Sequence, residues 1–363
     1  MSSWAVDPSR MRDALALAEQ AIGVSDPNPR VGCVLTAPDG RVIGRGHTQR
    51  AGDAHAEIAA LRDAHAHAES VQGATAHVTL EPCSHHGRTP PCCDALVAGG
   101  IARVVYCLED PNPVVRGSGL ARLRAAGVQL VHDTTLAQAA RELNIGFFSR
   151  MQRGRPWVRL KAAVSLDGRT ALPNGASQWL TGAPARTDAH AWRKRAGAVL
   201  TGVGTVLADD PRLDVRLVPS VLQPMRVVVD SRLRTPAAAS QALRARGVQL
   251  VECADARGQV DLAGVVDDLG RSGINELHLE AGAALNAAFV RAGLVDEYLI
   301  YMAPKLVGLG RGLADFGPLA DLSASVALRF ISVTAIGADQ RLIARPATIP
   351  QCSPASSAAS AAS

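Results

Sequence analysis

The chain has 363 residues, 47% of them hydrophobic and 20% charged, with a net charge of +5. That length exceeds what one hydrophobic core usually serves and predicts two domains, and no apolar run approaches the length of a membrane span. Aromatic residues, at 3%, are too scarce and too rarely set among basic ones for a single-strand nucleic-acid binder, so the basic balance suits a phosphorylated small molecule better.

The N-terminus places Asp7, Arg10, Arg12 and Asp13 ahead of any apolar stretch, which lacks the pattern of a signal peptide and predicts a cytoplasmic protein. Met11, Leu15, Ala18 and Ile22 recur at near-helical spacing, so Arg10 to Ile22 reads as an amphipathic helix ended by SDPNPR. VGCVLT and RVIGRGHT flank Asp39-Gly40 and form a hairpin. Helices from about Ala54 and about Cys92, strands at AHVTLEP and RVVYCLED, and a last strand and helix ending near Arg150 complete an α/β layer domain over residues 1–150. The basic breaker MQRGRP marks the boundary.

Over 151–347 the alternation restarts. Strands WVRLKAAVSL, AVLTGVG, RVVVDS, VQLVEC, ELHLEAG and EYLIYMA intersperse with helices ARTDAHAWRKRAG, VDLAGVVDDLGRSG and AALNAAFVRAG, giving a second α/β sheet. The Ser- and Ala-rich residues 348–363 have almost nothing to bury and predict a disordered tail.

Seven cysteines is an odd count, and Cys83, Cys92, Cys93 and Cys107 crowd one region, which favours metal binding or catalysis over a disulfide framework. His55-Ala56-Glu57, Pro82-Cys83 and Cys92 follow in order. Catalytic zinc takes three nitrogen or sulfur ligands and leaves a position for water; His55, Cys83 and Cys92 supply such a set. Residues two apart on a helix point to nearly opposite faces, so His55 and Glu57 converge only if the metal lies off the helix N-terminus, where the dipole favours thiolate and hydroxide. Glu57, not a ligand, is the expected proton carrier. The order matches the His-x-Glu and Pro-Cys-x-x-Cys signature of zinc nucleobase deaminases, except that eight residues, SHHGRTPP, separate Cys83 from Cys92. Spacing prefers Cys92, directly after Pro91 at a helix start, and leaves Cys93, His85 and His86 as alternatives.

In the second half, TGVGTVLADDP follows a strand with small residues that let N–H groups approach a phosphate. The full Gly-x-Gly-x-x-Gly fingerprint is absent, so no Rossmann domain is predicted. Glu280 to Gly282 forms another glycine-bearing turn before a helix.

TLEPCSHHGRTPPCCDAL, with HAE upstream and EDPNP downstream, resembles the bifunctional deaminase/reductase family of riboflavin biosynthesis. LKAAVSLDGRTA, SQWLTG, TGVGTVLADDPRL and HLEAGAALNAAF extend the resemblance to about residues 8–345. It implies a cytidine-deaminase-like three-layer domain followed by a dihydrofolate-reductase-like domain. The implied activity is zinc-dependent deamination of a diaminopyrimidinone ribosyl phosphate, then NADPH-dependent reduction of the ribosyl group to ribityl. It assigns His55, Cys83 and Cys92 to one zinc ion and Glu57 to proton transfer. Asn28, His47, His86, Arg88, Asp110 and Asn112 are its deaminase substrate contacts, of which Asn28, Asp110 and Asn112 also suit Asx turns. Ala163, Trp179, Thr205, Asp209, Ser231 and Gly282, Ala283, Ala284, Leu285, Asn286, Ala287 and Ala288 are its NADPH contacts. Ser177, Arg193, Leu213, Arg216 and Glu280 are its reductase substrate contacts, with Arg193 and Arg216 suited to a bidentate phosphate clamp. Asp214 stands where the resemblance calls for a small hydroxyl residue. A homo-oligomer, a dimer, is implied by the family alone.

Overall fold

The computed structural model describes residues 8–87, 89–113, 115–230, 247–251 and 260–347. Arg88, Ser231 and the 348–363 tail lie outside the described residues.

The first sheet has the order β2-β1-β3-β4-β5, built from β1 (Gly32–Thr36), β2 (Val42–His47), β3 (Thr75–Val78), β4 (Arg103–Tyr106) and β5 (Gln129–His132). Its central strands β1, β3 and β4 are buried on both faces, as a sheet covered by helices on both sides requires. Side chains alternate across each strand, so Cys33 and Leu35, with Val104 and Tyr106, face one core, while Val34 and Val105 face another. The first core is closed by α2 (Ala56–Ala66), α3 (Cys92–Ala98) and α4 (Ser118–Ala125), the second by α1 (Pro8–Glu19) and α5 (Ala137–Leu143). This gives three layers.

A last helix, α6 (Ile145–Arg153), continues past residue 150 through Met151 to Arg153. It ends at Gly154, whose φ of 73° is the left-handed conformation that favours glycine as a C-cap. Gly154–Pro156, the second half of MQRGRP, joins α6 to the first strand of the second sheet.

The second sheet runs β10-β9-β8-β11-β6-β12-β15-β14. Its strands are β6 (Trp157–Ser165), β8 (Ala198–Gly202), β9 (Met225–Val229), β10 (Val248–Val251), β11 (Glu276–Leu279), β12 (Glu297–Ala303), β14 (Leu328–Ile336) and β15 (Asp339–Pro346). The short pair β7 (Arg169–Ala171) and β13 (Arg311–Gly312) stands apart. One face packs on α9 (Leu262–Arg271) and α10 (Ala283–Arg291), with Val266 and Phe289 meeting Leu160, Leu277 and Leu279. The other carries α7 (Ala183–Arg195) and α8 (Val203–Asp209).

The hairpin β14–β15 was not legible in the sequence, nor was α8, whose residues read as a glycine-bearing turn. β14 lies at the sheet edge with Leu328, Phe330, Ile331 and Val333 all exposed, so it lacks the apolar-in, polar-out alternation that announces a strand.

Candidate active sites

Helix α2 is set by a close approach: a Cβ on Gly46 of β2 would lie 2.3 Å from the Ala56 carbonyl oxygen. Only glycine there lets the helix start sit on the sheet, and that start carries the site. His55 is the N-cap in extended conformation, with no cap bond from its side chain, so its ring is available elsewhere. Its Nδ1 stands 3.5 Å from Cys83 Sγ and 3.4 Å from Cys92 Sγ, and the three donor atoms lie within 4.8 Å of one another. Cys92 is the first residue of α3, preceded by Pro91 as N-cap, and its backbone N–H donates to Cys83 Sγ at 3.4 Å. The two helix starts thus face each other across the Cys83 loop.

The hydrogen bond from Cys92, then those from His55 and the Cys92 amide, hold Cys83 well below the usual thiol range against the opposing effect of burial. Its partner Cys92 is pushed up, by that shared bond and by burial. The donor set fits zinc: two sulfurs and a ring nitrogen, one thiol already stabilised as thiolate. Cys93, the neighbouring alternative, points away, its Sγ donating to the Pro82 and Gly119 carbonyls at 3.3 and 3.5 Å.

Glu57, 4% exposed, is pushed up to about 7, first by burial and then by the Cys83 charge. It lines a pocket of about 320 Å³ with His55, Cys83, Asn28, Asp110 and Asn112. Asp110 is also raised to about 7 by burial, and its Oδ1 accepts the Asn112 N–H at 2.8 Å, an Asx turn as well as a pocket wall. His85 takes a place in the lining that the sequence reading gave to His86, which is exposed and does not line the pocket; His47 is half-buried beside lining residue Thr48 and is likewise outside the wall.

Sequence reasoning missed Glu81, which is 3% exposed. Its carboxylate accepts N–H bonds from Asp110 (3.2 Å), Gly117 (3.0 Å), Gly119 (3.1 Å) and Leu120 (3.4 Å), tying the metal-ligand loop to the Asp110 loop and the start of α4. A carboxylate inside the apolar run AHVTLEP was the available signal, since such a group must be paired when buried.

The second site is a cleft of about 1890 Å³ beside β6, β8 and β11. This exceeds the roughly 300–1,000 Å³ that one small ligand fills, leaving room for a dinucleotide and a substrate together. Gly282 is the N-cap of α10, and a Cβ there would meet nothing within 4 Å. The helix opens on Ala283, Ala284 and Leu285, whose first N–H groups have no partner inside the helix. These lining residues, with Ala288, fit a phosphate or diphosphate at the helix start. Ala163, Thr205, Asp209, Ser177 and Trp179 also line the cleft, and the Trp179 ring stacks under Arg186 at 4.5 Å.

Three of the expected contacts are not in the wall. Asn286 turns its amide to the Leu313 carbonyl at 2.9 Å, Ala287 is fully buried, and Leu213 sits in the small core of α8 with Val199 and Val206. Asn286 and Ala287 are both buried, one turn before Phe289 and Val290, which pack into the sheet core.

The expected phosphate clamp of Arg193 and Arg216 is arranged otherwise. Arg193 grips Glu280 by Nε at 2.5 Å and Nη2 at 2.9 Å, and its Nη1 donates to the Asp214 carbonyl at 2.8 Å. Both remain in the cleft wall with Arg216. Glu280 is held far below the usual carboxylate range, the attraction of Arg193 and Lys161 overcoming its burial. His190 and Tyr301, unnoticed in the sequence, also line the cleft. His190 Nδ1 accepts the Arg216 N–H at 3.2 Å, and the Tyr301 hydroxyl donates to Asp188 at 2.6 Å.

Residues 156–342 match the family model of the RibD C-terminal domain, and residues 6–108 match the cytidine and deoxycytidylate deaminase zinc-binding region. The riboflavin biosynthesis protein RibD of Escherichia coli is 43% identical over 92% of this chain and 97% of its own length. The chain belongs to the RibD family. It is a zinc-dependent deaminase fused to an NADPH-dependent reductase of riboflavin biosynthesis, and both cofactor sites described above have residues that fit them. The RibD protein of Aquifex aeolicus is 37% identical over 92% of this chain and 97% of its own. Among solved structures, Acinetobacter baumannii RibD, form 1, is 39% identical, covers 94% of this chain and 98% of its own, and superposes with a TM-score of 0.84. A Thermotoga maritima diaminohydroxyphosphoribosylaminopyrimidine deaminase/5-amino-6-(5-phosphoribosylamino)uracil reductase is 31% identical, covering 93% and 98%, with a TM-score of 0.83. The RibD fold is thus a cytidine-deaminase-like domain followed by a reductase domain. Among the described residues no helix is long and apolar enough to cross a membrane.

Proposed function

We propose that this chain deaminates 2,5-diamino-6-(5-phosphoribosylamino)pyrimidin-4-one in its first domain and reduces the ribosyl side chain of the product to ribityl in its second. The observation that carries the reading is the His55, Cys83 and Cys92 donor set opening onto the Glu57 pocket, in one chain with a cleft large enough for cofactor and substrate. The Thermotoga maritima relative is named for the same pair of activities.

His55, Cys83 and Cys92 would hold the zinc, which would supply a water of lowered pKa. Glu57 would carry one proton from the attacking water to the ring nitrogen, and then the remaining hydroxyl proton to the amino group, which leaves as ammonia when its carbon–nitrogen bond breaks. A carboxyl raised to about 7 both accepts and releases a proton near neutral pH. Asn28, Asp110 and Asn112 present amide and carboxyl groups to the pyrimidine edge. Their pocket excludes bulk water from the reacting carbon.

In the cleft, the first turn of α10 with Thr205, Asp209, Trp179 and Ala163 would hold NADPH, which would supply the hydride. Ser177, Arg216 and the Arg193–Glu280 pair hold the substrate, and Lys161, with Nζ 3.6 Å from Glu280 Oε2, adds a positive charge beside the ribosyl site. Positioning is the main demand of hydride transfer. The protein works in the cytoplasm, a reading supported by the free cysteines Cys33, Cys83, Cys92, Cys93 and Cys107 among the described residues. It acts as a homo-oligomer, a dimer, a reading supported by the exposed apolar edge of β14.

The test supplies the diaminopyrimidinone ribosyl phosphate to zinc-loaded protein and follows ammonia release and NADPH oxidation separately. Both are expected, and absence of both overturns the proposal. Glu57→Gln should cut ammonia release by about 10²–10⁴-fold and leave NADPH oxidation on the deaminated substrate intact.

A further inference from the structure

β11 is a four-residue strand whose alternation separates two kinds of chemistry. Leu277 and Leu279 enter the hydrophobic core, while Glu276 and His278, followed by Glu280 at the strand end, line up on the face covered by α7. Glu276 and His278 are buried and Glu280 is half-buried, and the two carboxylates are engaged by arginines, one of which comes from the deaminase domain. At the far end Glu280 lines the reductase cleft and is gripped by Arg193. His278 Nε2 stands between, 3.3 Å from Glu280 Oε1 but not in an aligned hydrogen bond.

At the near end Glu276, 1% exposed, receives Arg159 Nη1 at 2.7 Å, Arg195 Nε at 3.2 Å and, from the deaminase domain, Arg30 Nη1 at 2.6 Å. α6 approaches so closely that a Cβ on Gly146 would lie 2.4 Å from Glu276 Cγ. This end of the ridge is packed tightly against α6.

Arg30 makes a second contact with the reductase domain. Its Nη2 donates to the Arg195 carbonyl at 2.7 Å, at the last residue of α7. Arg193, two residues earlier, holds Glu280. Arg30 therefore touches both supports of the Arg193–Glu280 pair: the start of the strand that ends in Glu280, and the end of the helix that carries Arg193. Its own segment belongs to the other site, because Pro27, Asn28, Pro29 and Val31 wall the deaminase pocket. The segment is fixed by Asn144, which accepts the Arg30 N–H at 2.8 Å and donates to the Arg30 carbonyl at 2.9 Å.

We infer that Arg30, set between residues that wall the deaminase pocket, is a positioning residue of the reductase site, acting through Glu276 and the last turn of α7 on the Arg193–Glu280 pair. Removing Arg30 leaves a buried carboxylate short of one cation, and Arg159 and Arg195 shift to compensate. A displaced Arg195 carries α7 and Arg193 with it.

The inference rests on reading the Glu280 cleft as the reductase substrate site, and one experiment separates the two. Full-length zinc-loaded wild type, Arg30→Gln and Glu276→Gln are supplied with the deaminated phosphoribosylaminouracil, and NADPH oxidation is measured beside NADPH affinity by fluorescence titration. Arg30→Gln is expected to lower kcat/KM for the pyrimidine by about 2- to 30-fold with NADPH affinity unchanged. The double variant should cost no more than the worse single variant, since both remove the same contact, and Arg30→Lys should recover part of the loss. Wild-type substrate constants in folded Arg30→Gln overturn the inference, as does a parallel loss of NADPH affinity, which marks general loosening. If Arg30→Gln does not fold, Glu276→Gln decides by the same readouts. A wild type that fails to oxidise NADPH on this substrate overturns the reductase reading instead.

Discussion

Arg216 donates from Nη1 to the Asp214 carboxylate at 2.7 Å, so a guanidinium that faces the reductase cleft is already paired within the chain. Arg212 takes the other carboxylate oxygen at 2.6 Å, and Asp214 is held below the usual carboxylate range by these two arginines despite partial burial. A substrate phosphate must compete with that carboxylate.

Asp214→Thr, which restores the small hydroxyl residue expected there, should lower the KM for the deaminated substrate by up to about fivefold, the worth of a partly exposed ion pair no longer competing. The dephosphorylated substrate should show no such gain. Steady-state NADPH oxidation with both compounds checks the expectation, and equal gains would assign the effect to something other than the phosphate.

Cys92 and Cys93 are adjacent in sequence and opposed in role. Cys92→Ser should lose bound zinc and ammonia release together, whereas Cys93→Ser should keep about one zinc per chain, since a catalytic site needs three protein ligands and the Cys93 sulfur faces carbonyls. Elemental analysis of the purified variants gives the answer, and the reverse pattern would reassign the ligand.

His190, 5% exposed, is held down to about 4 by burial first and then by Arg193 and Arg216. The unfolded chain therefore binds a proton at this position between pH of about 6.5 and 4 that the folded chain refuses. Stability falls as pH drops through that window. His190→Gln should flatten the dependence of Tm on pH between about 7 and 5, with part of the slope remaining because buried His278 is lowered in the same sense. Calorimetry across the window measures it, and an unchanged slope would exclude His190 as a contributor.

Phe330 is 70% exposed on the edge strand β14. Phe330→Asp should shift the protein toward monomer in sedimentation velocity while ammonia release per chain persists, because the edge lies in the other domain from the zinc ligands. A wild-type oligomer in this variant would move the interface elsewhere.

Much of the deaminase centre was legible in the linear chain because its chemistry is local. His55 and Glu57 sit at one helix start, and Pro91-Cys92 opens another, so residue type and helix-terminus geometry bring them together with few long-range choices. The α/β alternation was legible for the same reason, as each buried strand and amphipathic helix carries its own period. Where the period was missing, as in β14, the strand went unseen.

The sequence by itself thus determined the ligand chemistry, Cys92 included, the family and the α/β order of elements. Tertiary structure alone decided that Arg193 serves Glu280, that Asn286 and Leu213 turn into the core, and that Arg30 reaches across 246 positions to Glu276. The physical reason is that a long charged side chain has no intrinsic partner. Its pairing is set by which carboxylate the fold buries beside it, and by the cost of leaving that carboxylate uncompensated.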